Sequence, residues 1–180
     1  KNKFKILTAR SGNVIGGGDW SKDRLIPDIS RAINSGKILK VRNPNATRPW
    51  QHVLDCLSGY LLLIEKSQYK LSFNNWNFGP NPSYKKSVKD VLLISKKKYP
   101  SLNLSQISKN KFHEFQNLSL NINRAKKFLD WKPVLSFKET IHFTLDWYSR
   151  NNNDKSISYA QLNEYFNLAQ DKKMTWINYR

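Results

Sequence analysis

The sequence predicts an α/β fold whose sheet is at least partly parallel. Two observations carry this reading. Apolar segments follow one another as strand, loop, helix, strand, helix, strand and helix, the order in which crossover helices join parallel strands. Helical periodicity then dominates the second half, as in a small mixed lobe appended to a doubly wound sheet.

Taken in order, residues 4–10 read as a buried strand bounded by polar and glycine signals. A loop with Gly16, Gly17 and Gly18 follows. A helix then runs to about residue 34, with Ile26, Ile29, Ala32 and Ile33 at helical spacing and Gly36 in the C-cap place. Residues 38–42 form a short strand ended by Asn43-Pro44-Asn45. The strongly apolar stretch 53–66 is expected to be a buried helix. Residues 75–80 alternate like a strand and stop at Gly79-Pro80. Over 87–99, Val88, Val91, Leu92 and Ser95 mark one side of an amphipathic helix halted by Pro100. A polar, irregular stretch leads to Phe112, and a strand is expected near 118–120. Asn123 caps a short helix ending at 129–131, with Pro133 beyond it. Ser136 and Glu139 form a capping box for a helix to about residue 148. Residues 151–154 are a linker, and the tail is helical around 160–169.

A chain of 180 residues can bury a real core, and 39% hydrophobic content with six Trp argues against disorder. The apolar run at 60–64 is far too short to cross a bilayer, and no basic-then-apolar leader marks the chain for secretion. The single Cys56 excludes an intramolecular disulfide and a cysteine-clustered metal site, and fits a reducing cytoplasm. The net charge of +18 suits phosphate on nucleic acid, a membrane surface or a nucleotide; it equally suits a plain lysine-rich surface. The lysines are scattered, and no stripe of Arg interleaved with aromatics appears. Neither nucleic acid nor membrane is therefore expected as the main partner, although a basic nucleic-acid-binding module remains the alternative from another class.

Asn13 follows the first strand in a glycine-flanked loop, at the strand edge where open α/β sheets bind ligands. Its amide suits a phosphate oxygen or a sugar hydroxyl; the plainer reading is a turn residue. Arg48, in Thr47-Arg48-Pro49-Trp50, suits a diphosphate clamp or an ordinary exposed arginine. Arg24 and Arg42 carry the same ambiguity, and three arginines on loops at one edge favour an anionic ligand. His52 and Asp55 form an acid–base pair on paper, but read better as capping and structural groups. Three scattered histidines give no metal site. Gly16-Gly17-Gly18 lacks the spacing of a dinucleotide loop.

The segments 9–20, 23–28, 42–44, 46–55 and 58–63 together resemble the C-terminal half of the CDP-glucose 4,6-dehydratases, extended short-chain dehydrogenases/reductases acting on nucleotide sugars. Weaker matches are Trp76-Asn77-Phe78-Gly79-Pro80, His113-Glu114 and Leu129-Asp130-Trp131-Lys132-Pro133. The resemblance covers about residues 4–150. It implies the last part of a Rossmann-type sheet at 1–20, a substrate-binding lobe with returning elements at 21–150 and a C-terminal tail at 151–180. It implies CDP-glucose as substrate, CDP-4-keto-6-deoxyglucose as product, a role in surface polysaccharide, and a homo-oligomeric full-length enzyme. It also implies NAD held mainly by an N-terminal half. In the family, NAD takes hydride from C4, a Tyr lowered by Lys acts as base, water leaves from C6 and hydride returns there. Carried onto this chain, Asn13 contacts the phosphate or sugar, while Arg24, Leu25, Pro27 and Arg42 line the nucleotide. Arg48 holds the diphosphate and His113 adds a further contact. The NAD loop and the Tyr–Lys pair have no counterpart here, and Asn121 stands where the family commonly has Asp. A related epimerase or dehydratase using another nucleotide is the nearer alternative. The chain alone is expected to be inactive.

Overall fold

The structure, a computed structural model, describes residues 6–69, 71–81, 85–106, 116–150 and 155–178. Its strands pair in twos, and three of the four pairs are parallel. Strand β1 (Thr8–Ser11) pairs with β6 (Asn75–Phe78), β2 (Val14–Ile15) with β5 (Gln51–His52), and β3 (Leu39–Val41) with β8 (Leu104–Gln106). The antiparallel pair joins β4 (Thr47–Arg48) to β7 (Lys86–Ser87). The parallel expectation therefore holds. The short strands β2, β4, β5, β7 and β8 escape sequence reading because two or three residues show no period.

The strand expected over 4–10 is shorter and less buried than its pattern suggests. It begins at Thr8, and Ile6 is 76% exposed. Residues 118–120 form no strand; only a single bridge links Asn117 to Thr47.

The helices match their periodicity closely. Helix α1 (Leu25–Ser35) ends at Gly36, whose φ of 66° is the left-handed conformation that glycine adopts freely. Helix α2 (Val53–Lys66) and α3 (Val88–Lys98) begin at His52 and Ser87 as N-caps. Helix α4 spans Asn123–Leu129; its cap-type bond comes from Asn121, whose Oδ1 accepts the Asn123 N–H at 2.9 Å, and not from the Asn123 side chain. Helix α5 (Phe137–Arg150) starts at the expected Ser136–Glu139 box. The tail forms a longer helix than expected, α6 (Ser156–Asp171).

Three apolar clusters hold these pieces. Ile26, Ile29, Val91, Leu92, Ile141 and Leu145 knit α1, α3 and α5 around Trp50. Leu62, Leu63, Trp76, Phe78, Ala125 and Trp131 join α2, β6 and α4, with the rings of Phe78 and Trp131 edge to face at 5.0 Å. Val134, Phe143, Tyr165 and Ala169 dock α6. Each large side chain so buried contributes about 1.5–3 kcal/mol, enough to make the tail part of the body. Gln161 Nε2 adds a bond to the Phe143 carbonyl at 2.6 Å.

Candidate functional site

At the carboxyl end of β1 the chain turns sharply. The Val14 N–H donates to the Gly12 carbonyl at 2.7 Å, and the Gln51 N–H donates to the Asn13 carbonyl at 3.1 Å. This fixes the Asn13 backbone and leaves its side-chain amide bonded to none of the described residues. A Cβ on Gly12 would lie 2.3 Å from Pro49 Cγ, so glycine lets this loop press against the Arg48-Pro49 segment. The resulting cavity, about 420 Å³, is lined by Asn13, Arg24, Pro27, Trp50 and Tyr148 among others.

The loop between β2 and α1 forms its rim. Arg31 Nη1 donates to the Trp20 carbonyl and Nη2 to the Ser21 carbonyl, at 3.1 and 3.0 Å, while also pairing with Asp28. Tyr148 donates its O–H to the Asp19 carbonyl, and its ring meets Trp20 edge on at 5.0 Å. Burial pushes the Tyr148 phenol up to about 12, so it stays a donor. Arg42 is exposed and pairs with Asp23 at 2.7 Å, steadying the residue that enters α1. Sequence reading missed Arg31, because its loop partners are backbone carbonyls.

Of the sequence-derived residues, Asn13, Arg24 and Pro27 meet at this cavity. Leu25 is half-buried and packs toward the core beside it. The three arginines do not converge on it, contrary to expectation. Arg42 stays outside, and Arg48 is buried on a second, larger cavity of about 970 Å³, for which Trp50 is a shared wall. There the Arg48 Nη1 donates to the Thr47 carbonyl at 2.8 Å. Trp50 Nε1 donates to the Lys86 carbonyl at 3.1 Å, and the Lys86 ammonium lies over the Phe137 ring. His113 lies outside the described residues.

His52 and Asp55 are structural, as their positions suggested. The His52 Nδ1 accepts the Leu54 N–H at 3.3 Å, and burial pulls its pKa down to about 4. Asp55 accepts the N–H groups of Val134 and Leu135 at 2.7 and 3.3 Å and the Tyr165 O–H at 2.9 Å. It thereby ties α2 to the turn before α5 and to the tail. Among the described residues, no group of three His, Cys, Asp or Glu is placed to hold a metal.

Residues 1–79 match the model of the NAD dependent epimerase/dehydratase family. The CDP-glucose 4,6-dehydratase of Salmonella typhimurium is 37% identical over 150 residues, which are 79% of this chain and 41% of that protein. The first 79 residues are thus similar to that family, and most of the chain is similar to part of one dehydratase. The chain spans 41% of the length of the curated relative it matches. Solved epimerase/dehydratase structures share its fold. The dTDP-glucose 4,6-dehydratase of Bacillus anthracis, in complex with NAD, superposes with a TM-score of 0.71 at 20% identity, over 82% of this chain and 46% of its own. The UDP-glucuronic acid 4-epimerase of Bacillus cereus, in complex with UDP-glucuronic acid and NAD, gives 0.68 at 18% identity, over 81% and 45%. No helix among the described residues is long and apolar enough to cross a membrane.

Proposed function

We propose that this chain supplies the nucleotide-sugar-binding part of a CDP-glucose 4,6-dehydratase, a lyase that converts CDP-glucose to CDP-4-keto-6-deoxyglucose for deoxysugars of surface polysaccharide. The observation that carries the reading is the 37% identity to such an enzyme across 79% of this chain. The loop geometry supports it: an Asn amide and an Arg side chain line one cavity at the carboxyl end of a parallel strand. In this reading Asn13 contacts a phosphate oxygen or sugar hydroxyl. Arg24, Leu25, Pro27 and Arg42 serve the nucleotide, Arg48 the diphosphate, and His113 a further phosphate contact.

NAD, when bound in the family, supplies the hydride acceptor. The glycine loop described here does not fit it. A Cβ on Gly17 would strike Trp147 at 2.0 Å and one on Gly16 would strike Val53 at 2.6 Å, so these glycines serve side-chain packing and not a pyrophosphate. No Tyr-x-x-x-Lys pair occurs in the 180 residues either. The part assigned to this chain is therefore binding and orientation, with no chemical step of its own.

Competition between CDP-glucose and dTDP-glucose for this chain tests the reading. CDP-glucose should bind at least about tenfold more tightly, a difference of about 1.4 kcal/mol, and Asn13→Ala should remove most of that affinity. Equal affinities would move the chain to a dehydratase or epimerase of broader or different nucleotide choice. Binding of neither would end the nucleotide-sugar assignment.

A further inference from the structure

Three consecutive backbone carbonyls in the loop between β2 and α1 are each held by a helix side chain. Tyr148 of α5 donates to the Asp19 carbonyl, and Arg31 of α1 donates to those of Trp20 and Ser21. The backbone turns through the left-handed region on both sides, at Gly18 with φ of 85° and at Asp23 with φ of 61°. A loop fixed at so many points holds the direction of the side chains it carries. One of them, Asp19, is the single acidic side chain among the described residues that line the Asn13 cavity. The Ser21 N–H donates to its Oδ1 at 2.9 Å. Bonds from the Ser21 side chain and backbone, helped by the charges of Arg24 and Arg31, outweigh burial and hold this carboxyl below its ordinary range. It is therefore an ionised group that only accepts hydrogen bonds, with room for about four. Holding the Ser21 N–H takes no charge, since an Asn side chain makes the same turn.

A fixed carboxylate repels the phosphates of a nucleotide sugar and favours the groups that donate. The proposed function puts the nucleoside beside Arg24 and Pro27, which share this cavity with Asp19. At ring position 4 cytosine carries an amine, which donates, whereas uracil and thymine carry a carbonyl, which accepts. The other polar side chains of the cavity do not separate the two. Arg24 only donates, the Asn13 amide does both, and the Tyr148 hydroxyl already donates to the Asp19 carbonyl. The same fold serves a dTDP-glucose 4,6-dehydratase and a UDP-glucuronic acid 4-epimerase, so the choice of base lies in side chains and not in the fold. We infer that Asp19 selects cytosine, its carboxylate accepting from the 4-amine and repelling the 4-carbonyl of uracil or thymine. One satisfied bond for the right base and one repulsion for the wrong base act together in such a choice. The inference rests on the CDP-glucose reading and assigns its base specificity to one residue.

The test is the ratio of the Kd for UDP-glucose to the Kd for CDP-glucose, titrated with this chain and with two variants. The ratio is internal to each protein, so a loss of folded fraction cancels. In the unaltered chain it should be about tenfold or more. Asp19→Asn keeps an oxygen for the Ser21 N–H and puts an amine in place of the other oxygen. It should bring the ratio to within about threefold of unity or invert it. Lys22→Ala, at an exposed site outside the cavity lining, should leave the ratio unchanged. A ratio that survives Asp19→Asn would overturn the inference and leave the proposed function standing, with the base read elsewhere. An equal loss for both ligands in that variant would also overturn it, by placing the carboxylate on a sugar hydroxyl. A ratio near unity in the unaltered chain, or no binding of either ligand, would remove the CDP-glucose reading and this inference with it.

Discussion

Burial pushes the Asp55 carboxyl up to about 6, against the bonds from Val134, Tyr165 and Leu135 that pull it down. It also pulls the neighbouring His52 down to about 4. Their effects on stability have opposite signs. Folded Asp55 holds its proton above the ordinary carboxylate pKa, so its contribution is present at low pH and is lost as pH rises through about 6. Folded His52 sheds its proton early, so its contribution is present above the ordinary imidazole pKa and is lost as pH falls through about 4. Each is roughly 3 kcal/mol at 1.36 kcal/mol per pH unit, so the two nearly cancel between pH 4 and 6. Asp55→Asn should leave stability rising across that interval, and His52→Asn should leave it falling; urea midpoints measured from pH 4 to 7 read both slopes. Flat profiles in both variants would refute the pairing. At this scale the site was half legible. Asn13, Arg24 and Pro27 could be found because a glycine-flanked loop after a strand and the entry to a helix are local signals. The separation of Arg48 from them could not, because it depends on which way Trp50 walls two cavities.

Helices α1 to α5 were legible to within a residue or two from apolar period and caps, and α6 was read too short at both ends; the two-residue strands were not legible, because their partners lie far off in sequence. Gly59 shows what periodicity hides. It reads as a weak spot in α2, yet a Cβ there would sit 2.3 Å from the fully buried ring of Phe78. Gly59→Ala should therefore destabilise the fold by about 1–3 kcal/mol through overpacking, despite the better helix propensity of alanine. Thermal unfolding decides it, and a raised Tm would show that the α2–β6 contact yields. The box before α5 was visible in the sequence, but its third member was not. Lys172, from the end of α6, donates to the Val134 carbonyl and to both Glu139 oxygens. Burial raises the Glu139 pKa, but the Ser136 bonds and the Lys172 ammonium outweigh it, leaving the pKa lowered. Ser136→Ala should cost about 1 kcal/mol, and Lys172→Met should loosen the tail, seen as faster hydrogen exchange in α6 than in α1.

For the whole molecule, the net charge of +18 was the most conspicuous number in the sequence and the least specific about function. The proposed function puts that charge in a nucleotide-sugar context, and ionic strength separates that context from general attraction to polyanions. A basic module gripping six to ten nucleic-acid phosphates loses roughly 10³–10⁵ in affinity between 50 and 200 mM salt, through counterion release. In the proposed reading a CDP-sugar brings two phosphates to the Asn13 and Arg48 cavities that share the Trp50 wall, and screening over a length of about 10 Å at 0.1 M salt reaches such a site only in part. CDP-glucose affinity should therefore fall by less than about tenfold over the same interval, while any binding to duplex DNA collapses. The measurement is a pair of titrations at both salt concentrations. DNA binding that survives 200 mM salt, beside CDP-glucose binding that does not, would put the function in the scattered lysines and take it away from the Asn13 cavity.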